Sequence, residues 1–439
     1  MKKLSGWGRF PYIKTSEITP SSESELISIL KSSKSLAVRG NGRSYGDLSI
    51  NTNTTLTMTK FNRIIEWDKV NGNLIAESGV LIADIIDDFL PKGWFPYVTA
   101  GTKFITLGGA IACDVHGKNH HVEGSFGNYV NWIDLIDQNN ELIRCSQTEN
   151  SKLFHWTIGG LGLTGVILRC SIKLKKIETG WINQNTIVNK NLAETLKSFD
   201  QHYNATYSVA WIDCISKSRS FGRSILMLGE HANLHDVKNK PVIFPTQNKQ
   251  KISLSFVVPS LVLNKLAISI FNKFYFLINR RKSKSLIGWD NYFFPLDSIG
   301  SWNKMYGKKG FFQFQCVLPI ENAQKGLEEI LKTVQENGSN AFLAVLKKLG
   351  KGNGHFSFPR EGFTISLDFK VTKRNLRLSK KLHEIVEKFS GSIYFAKDST
   401  LDRDEFFQQK NDEMIKLKVR NLKIDSELSK RLTLQTSIL

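Results

Sequence analysis

Gly101-Thr-Lys-Phe-Ile-Thr-Leu-Gly-Gly-Ala-Ile-Ala-Cys-Asp-Val-His-Gly-Lys-Asn-His-His121, continued by Gly124-Ser-Phe-Gly-Asn128, decides how this chain is read. Small residues crowd positions 108–113, where a flat ring or a diphosphate can lie against the main chain. His116, Lys118, Asn119, His120 and His121 then bring five polar side chains into six residues. A purely structural loop would have to satisfy all of them at once. His116 and His120 are four apart, as in a helical metal pair, but Gly117 lies between them and glycine is a poor helix former. No metal is expected.

Two other glycine-rich segments flank this one. Arg39-Gly-Asn-Gly-Arg-Ser-Tyr-Gly-Asp47 can turn sharply and aim backbone N–H groups at an anion. A tight surface loop explains the same residues equally well. No GK[ST] follows, so it is not a P-loop, and no clear βαβ unit surrounds it, so it is not a Rossmann fingerprint. Ile158-Gly-Gly-Leu-Gly-Leu-Thr-Gly165 allows a packed turn, or a second close approach to the same ligand.

The chain has 439 residues, which suggests two domains. Hydrophobic and charged contents of 41% and 23% are those of a globular protein. The net charge of +20 suits nucleic acid, anionic lipid or a phosphorylated substrate. Zinc-finger spacing and RNP-like aromatics are missing from the sequence, so nucleic acid is not expected. Cys113, Cys145, Cys170, Cys214 and Cys316 form no CxxC pair, which fits a reducing compartment. No apolar run follows Met1-Lys-Lys, and no uncharged stretch reaches 18 residues. Neither export nor a membrane span is expected.

Thr55–Thr59 and Asn73–Glu77 read as strands, and Leu81–Leu90 as a helix stopped by Pro91 and Gly93. In Gly165–Lys175, Val166, Leu168, Cys170, Ile172 and Leu174 alternate with polar residues as on a half-buried strand. Residues 252–279 are strongly apolar and lead into Arg280, Arg281, Lys282 and Lys284. They read as a core helix pair, or as an interfacial segment on anionic lipid, or as both if they close a pocket. From 311 to 396 the order is β-α-β-β-α-β: strands Phe311–Leu318, Ala341–Lys348, Phe363–Val371 and Ser392–Ala396, helices Glu321–Glu336 and Asn375–Phe389. That is a ferredoxin-like sheet covered on one side by helices. Gln313 and Gln315 share a strand face opposite Phe312, Phe314 and Cys316, either a polar pocket wall or a solvent-facing side. Lys347 and Lys397 follow apolar strand segments, where a lysine is usually surface.

The three glycine segments, in this order and spacing, resemble the FAD-binding domain of the vanillyl-alcohol-oxidase-like flavoproteins. GGAIACDVHGKNHHVEGSFGN at 108–128 is nearly that of the branch acting on polyprenylphosphoryl ribose. SGWGRFP at 5–11, FQFQ at 312–315 and YFAKDS at 394–399 are similar to it too. The resemblance covers almost the whole chain and is weakest at 215–290. It implies an α+β, two-domain PCMH-type FAD-binding fold with an antiparallel-sheet substrate domain covered by helices. The implied domains are 1–178 for FAD, 179–391 for substrate, and a returning segment, 392–439.

The resemblance implies that Arg39, Gly40, Asn41, Gly42, Arg43, Ser44, Tyr45, Gly46 and Asp47 hold FAD. Gly101, Thr102, Thr106, Leu107, Gly108, Gly109, Ala112, Cys113, His116, Gly117 and Asn119 would do so too, with Ile167 and Tyr394. Covalent relatives bond the flavin through a histidine in the first loop; Arg43 stands at the matching position, so non-covalent FAD is expected. His116, Lys118, Lys397 and Tyr45 are the implied catalytic groups. Trp211, Gln313, Gln315, Lys347, Thr364, Ser366 and Lys397 are the implied substrate contacts. Ser366 replaces a cysteine that covalent inhibitors attach to, so trapping there should fail.

The implied reaction oxidises the 2′-hydroxyl of a polyprenylphosphoryl-β-D-ribose to a keto sugar. A separate NAD(P)H-dependent reductase would follow, and quinone or oxygen would take the electrons. The implied setting is cytoplasmic, peripheral on the inner face of the membrane. A sugar-1,4-lactone or sugar-alcohol oxidase of a soluble sugar is the alternative, and a catalytically silent flavin- or lipid-binding protein a third.

Overall fold

A computed structural model describes residues 1–247, 252–254, 256–257, 265–280, 283–339, 341–353, 357–410, 423–432 and 434. Among the described residues, short apolar runs broken by glycine and polar turns give three large sheets and one two-stranded pair. The first orders its strands β1 (Lys2–Ser5), β2 (Tyr12–Ile18), β4 (Thr54–Thr57), β3 (Leu36–Arg39). β4 runs parallel to both of its neighbours. Between β2 and β3 lies helix Glu23–Ser32, whose N-cap Ser22 accepts from the Glu25 N–H and whose Leu26 and Leu30 are buried. A β-α-β crossover therefore does precede the 39–47 loop, contrary to the sequence reading. No helix follows that loop, which instead runs on to β4.

The second sheet contains β5 (Ile64–Trp67), β6 (Asn73–Glu77), β7 (Trp94–Pro96), β8 (Val130–Ile136), β9 (Leu142–Ser146) and β10 (Val166–Lys176). Its order is β5-β6-β10-β8-β9, with β7 on the far end of β10. β10 is central rather than half-buried: Ile167 and Ser171 are buried along with the expected face. Register shifts against β8 at Ile167/Arg169 and Ser171/Ile172 break the simple alternation. The expected helix is Ile82–Phe89, followed by a 3₁₀ turn through Pro91 to Gly93 at φ 79°.

The third sheet is antiparallel and has eight strands: β11 (Trp181–Asn189), β12 (Tyr207–Ile212), β13 (Ser224–His231), β14 (Lys284–Gly288), β15 (Phe311–Leu318), β16 (Ala344–Leu349), β17 (Gly362–Lys370) and β18 (Ser392–Ile393). Its order is β14-β11-β13-β12-β16-β17-β15-β18. The second half is the expected β-α-β-β-α-β unit. The first half repeats its connectivity without any sequence repeat, and the two meet at the β12–β16 pairs Ala210–Leu346 and Trp211–Val345. Helices Ile320–Glu336 and Lys373–Lys388 bury apolar stripes that include Leu327, Ile330, Leu378 and Leu382.

Of the helix pair expected across 252–279, the described residues hold one helix. Ile252–Ser253 pairs with Ile299–Gly300, and a single helix spans Lys265–Asn279. Residues 258–264, and Arg281 and Lys282 of the basic run, lie outside the described residues.

The end of the chain returns to the first sheet. Ile424 bridges Leu36 in parallel. Arg431 donates to Asp47 at 2.9 and 3.0 Å and to Asp398 at 3.0 Å, and both carboxylates are buried. One guanidinium thus ties the 39–47 loop to the segment carrying Lys397. Arg431→Met leaves two buried carboxylates facing each other and should cost about 3 kcal/mol. Thermal unfolding should show a clearly lower midpoint, and Arg431→Lys should recover part of it.

Candidate active site and cofactor cavity

One cavity of about 1190 Å³ lies between the glycine segments and the eight-stranded sheet. A single small ligand usually occupies roughly 300–1000 Å³, so there is room here for a dinucleotide and a second molecule. The sheet side is one pleated face read across four strands. Trp211 opposes Val345, Val345 opposes Ser366, and Ser366 opposes Gln315. All four line the cavity, as does Lys347, two residues from Val345 on the same face. Gln313 and Gln315 are 7% and 4% exposed, so their side of the strand does not face solvent.

The opposite wall comes from the glycine-rich segments and the residues between them. Gly40, Asn41, Gly42, Arg43, Ser44, Tyr45, Gly101, Thr102, Thr106, Gly108, Gly109, Ala112, Cys113, His116, Gly117 and Lys118 all line it, with Ile167, Tyr394 and Lys397. A Cβ on Gly40 would lie 2.2 Å from Thr106 Oγ1, so only glycine lets the two loops meet there. A Cβ on Gly101 or Gly162 would meet no protein atom, which leaves the backbone bare to the cavity.

Arg39, Gly46, Asp47, Leu107, Asn119 and Thr364 do not line the cavity. Arg39 donates to Ser5 O and Ser49 Oγ, and Asp47 holds Arg431. Gly46 packs against the Asp398 backbone, and Leu107 is core. Asn119 donates to Tyr97 O and Glu123 Oε2, at 2.7 and 2.5 Å. Thr364 lies beneath Gln315, accepting at 3.3 Å.

FAD fits these residues. Arg43 Nε, Ser78 Oγ and His116 Nδ1 are buried on residues that border the cavity and lack a protein partner, the condition of groups that await a polar ligand. The Arg43 guanidinium lies 4.3 Å from the Trp7 ring centroid. The glycine loops, with Ile167, Tyr394 and His116, are the cavity residues that would hold it.

Charge gathers at the sheet end. Burial pushes the Lys118 ammonium down to about 7, helped by Lys347. Burial alone lowers Lys347 to about 8. Lys397 falls to about 7 through burial, with Asp368 opposing and Lys347 adding to the drop. Its Nζ lies 3.7 Å from the Tyr45 ring centroid. His116 is held well below its usual value by burial first, then by Lys347, His120 and Lys397. It is therefore neutral, with Nε2 3.1 Å from Gln315 Nε2. The tautomer that accepts at Nε2 places the proton on Nδ1.

Two carboxylates matter here that the sequence reading passed over. Asp114, at φ 37°, accepts from Ser125 Oγ, the Gly127 N–H, Asn353 Nδ2 and Ser357 Oγ. It clamps the His116 stretch to Asn353 and Ser357. Asp368 accepts from Gln313 Nε2 at 2.6 Å and Tyr306 Oη at 3.2 Å, and burial raises it to about 6. The signal for Asp368 was present: Thr364, Ser366 and Asp368 alternate on one strand face. His120 and His121 act as pins, His120 Nδ1 accepting from the Gly350 N–H and His121 Nε2 meeting Ala205 O. Among the described residues no group of three His, Cys, Asp or Glu side chains could hold a metal.

Labelling Lys397 with a small amine-reactive reagent across pH, read by peptide mass, should show a midpoint near 7. Asp368→Asn removes the charge that raises Lys397, so the midpoint should fall. A midpoint near the ordinary lysine value of about 10.4 would contradict this electrostatic account.

Residues 16–146 match the FAD binding domain family, and the chain binds FAD. It is 33% identical over 419 residues to decaprenylphosphoryl-β-D-ribose oxidase of Mycolicibacterium smegmatis, covering 92% of this chain and 90% of that one. L-gulonolactone oxidase of Bos taurus is 25% identical over 46% of each chain. Cytokinin dehydrogenase 5 of Arabidopsis thaliana is 34% identical over 22% of this chain and 18% of its own. The chain is an α+β FAD-dependent oxidoreductase acting on a CH–OH group. It belongs to the decaprenylphosphoryl-β-D-ribose oxidase family, whose FAD-binding domain it carries.

Proposed function

We propose that the chain oxidises the 2′-hydroxyl of a polyprenylphosphoryl-β-D-ribose to the 2′-keto sugar, the first half of an epimerisation to the arabinose donor. A separate NAD(P)H-dependent reductase would complete it, and quinone or oxygen would reoxidise the flavin. The observation that carries this reading is the set of three half-buried lysines, Lys118, Lys347 and Lys397, that line a cavity otherwise largely aromatic and aliphatic. A sugar phosphate answers the charge. Trp211, Phe271, Tyr275, Trp302, Met305 and Phe342 offer an apolar path for a prenyl chain. A soluble lactone has neither part.

When bound, FAD accepts the two electrons and the hydrogen that leave the sugar carbon. The protein's own groups place the sugar and take its hydroxyl proton. Gln313 and Gln315 face the cavity with amides ordered by Asp368 and His116. Neutral Lys397 is the base we favour, since its value near 7 matches the task. As pH falls through about 7 it gains a proton and can no longer act as a base. The rate of flavin bleaching by substrate should therefore drop tenfold per pH unit on that side. A rate flat to well below 6 would assign the proton to His116 instead.

Arg43 offers no group for a flavin bond, so acid precipitation should release all of the yellow colour into the supernatant. In a substrate panel, polyprenylphosphoribose should be oxidised and soluble sugar-1,4-lactones should be poor substrates. The reverse preference would favour the lactone-oxidase reading.

A further inference from the structure

Helix Lys265–Asn279 has two apolar faces. Ile268 and Asn272 point inward at one-helix-turn spacing, both 3% exposed, and Asn272 Nδ2 donates to Asp213 Oδ1 at 2.8 Å. Tyr275 packs on Trp211 with ring centroids 4.9 Å apart. Ala267, Ile268, Tyr275 and Asn279 line the cavity. On the other side Leu266 is 70% exposed, Ile270 48%, Phe274 61%, Leu277 37% and Ile278 57%. Five large apolar side chains on one helix face form a patch that a monomer in water does not ordinarily show.

The charge along this part of the sequence is one-sided. Between Asp236 and Asp290 the chain has no Asp or Glu and ten Lys and Arg, half of the net +20. Lys273, Arg280 and Lys284 are exposed beside or just beyond the patch. Fifteen residues span about 22 Å as a helix, short of the roughly 30 Å hydrocarbon core. No helix among the described residues is long and apolar enough to cross a membrane. An apolar face rimmed by cations, on a helix too short to cross, has the chemistry of a segment that lies in the plane of an anionic bilayer.

We propose that the Lys265–Asn279 helix docks the protein on an anionic lipid surface and forms the shared wall between that surface and the cavity. Its outer face rests among the acyl chains while its inner face lines the site. A lipid-linked sugar then passes beside this helix without its chain crossing open water. This last step rests on the substrate reading above; the docking does not.

The test is flotation of the FAD-loaded protein with phosphatidylglycerol/phosphatidylcholine vesicles and with phosphatidylcholine alone. The variant is I270Q/F274Q/I278Q, which alters exposed side chains that do not line the cavity. The wild type should float with the anionic vesicles, less so with neutral ones, and less as salt is raised. The variant should bind at least about tenfold more weakly and keep its flavin spectrum. Absence of vesicle binding by the wild type, or equal binding by the variant, overturns the proposal. A wild-type dimer that the variant converts to a monomer, without vesicle binding, shows the face to be covered by a second copy and also overturns it. Vesicle binding without turnover of polyprenylphosphoribose sinks the substrate reading alone. Turnover without vesicle binding sinks the docking alone.

Discussion

Three half-buried lysines gathered around one cavity are the constraint on which the rest of this architecture turns. Burying a charge costs several kcal/mol unless a partner meets it, or unless the group loses its proton. Lys118, Lys347 and Lys397 do some of each. Lys118 donates to Tyr292 O and sits 4.5 Å from the Tyr292 ring centroid, while Asp368 is the carboxylate that raises Lys397. The site is thus poised between neutral lysine, which can take a proton, and ammonium, which can hold a phosphate. Such a balance lasts only if the walls do not relax around it.

The walls are held by buried polar ties between the glycine segments and the turns and short helices that flank the eight-stranded sheet. Lys103 Nζ meets Asp290 at 2.5 Å, and Asp297 accepts from the Lys103 N–H and Thr102 Oγ1 at 3.0 and 3.1 Å. Asp114 does the same from the far end of the stretch, reaching Asn353 and Ser357. Arg431 closes a third side through Asp47 and Asp398. Each tie joins residues distant in sequence. Truncating one partner leaves the other charge buried and alone, which resists opening. The cavity is therefore shaped before any ligand arrives, and its glycine backbone and its lysines stay in register.

What was legible in the sequence follows from locality. The β-α-β-β-α-β order of 311–396 could be read because its strands alternate and its helices carry single apolar stripes. The Gln313/Gln315 wall could be read because residues two apart share a strand face. The first half of the same sheet could not, although it repeats the topology, because its second helix has no single stripe. The crossover before Arg39 was missed because β3 is four residues long and its parallel neighbour β4 comes later in the chain. The placing of Arg39, Asp47 and Asn119 behind the cavity wall, not on it, depends on partners as far away as Arg431. Nothing near those residues announces them. Asp368 is the opposite case: it alternates with Thr364 and Ser366 on one strand face, so its side was open to reading from the sequence.

The two halves of the large sheet make the last contrast informative. In the second half, helix Lys373–Lys388 buries Leu378, Leu382 and Val386 and turns charge outward. In the first half, helix Lys265–Asn279 follows β13 as that helix follows β17, yet it has apolar residues all round. A helix apolar on every side is ordinarily a core helix, which is how its sequence reads. Among the described residues the fold packs its inner side at the cavity edge beside Trp211, while Leu266, Ile270, Phe274, Leu277 and Ile278 are exposed. The same residues that look like core in the sequence become a surface once the topology is known. An anionic lipid surface is the neighbour we propose for its outer face, in keeping with ten Lys and Arg and no Asp or Glu between Asp236 and Asp290.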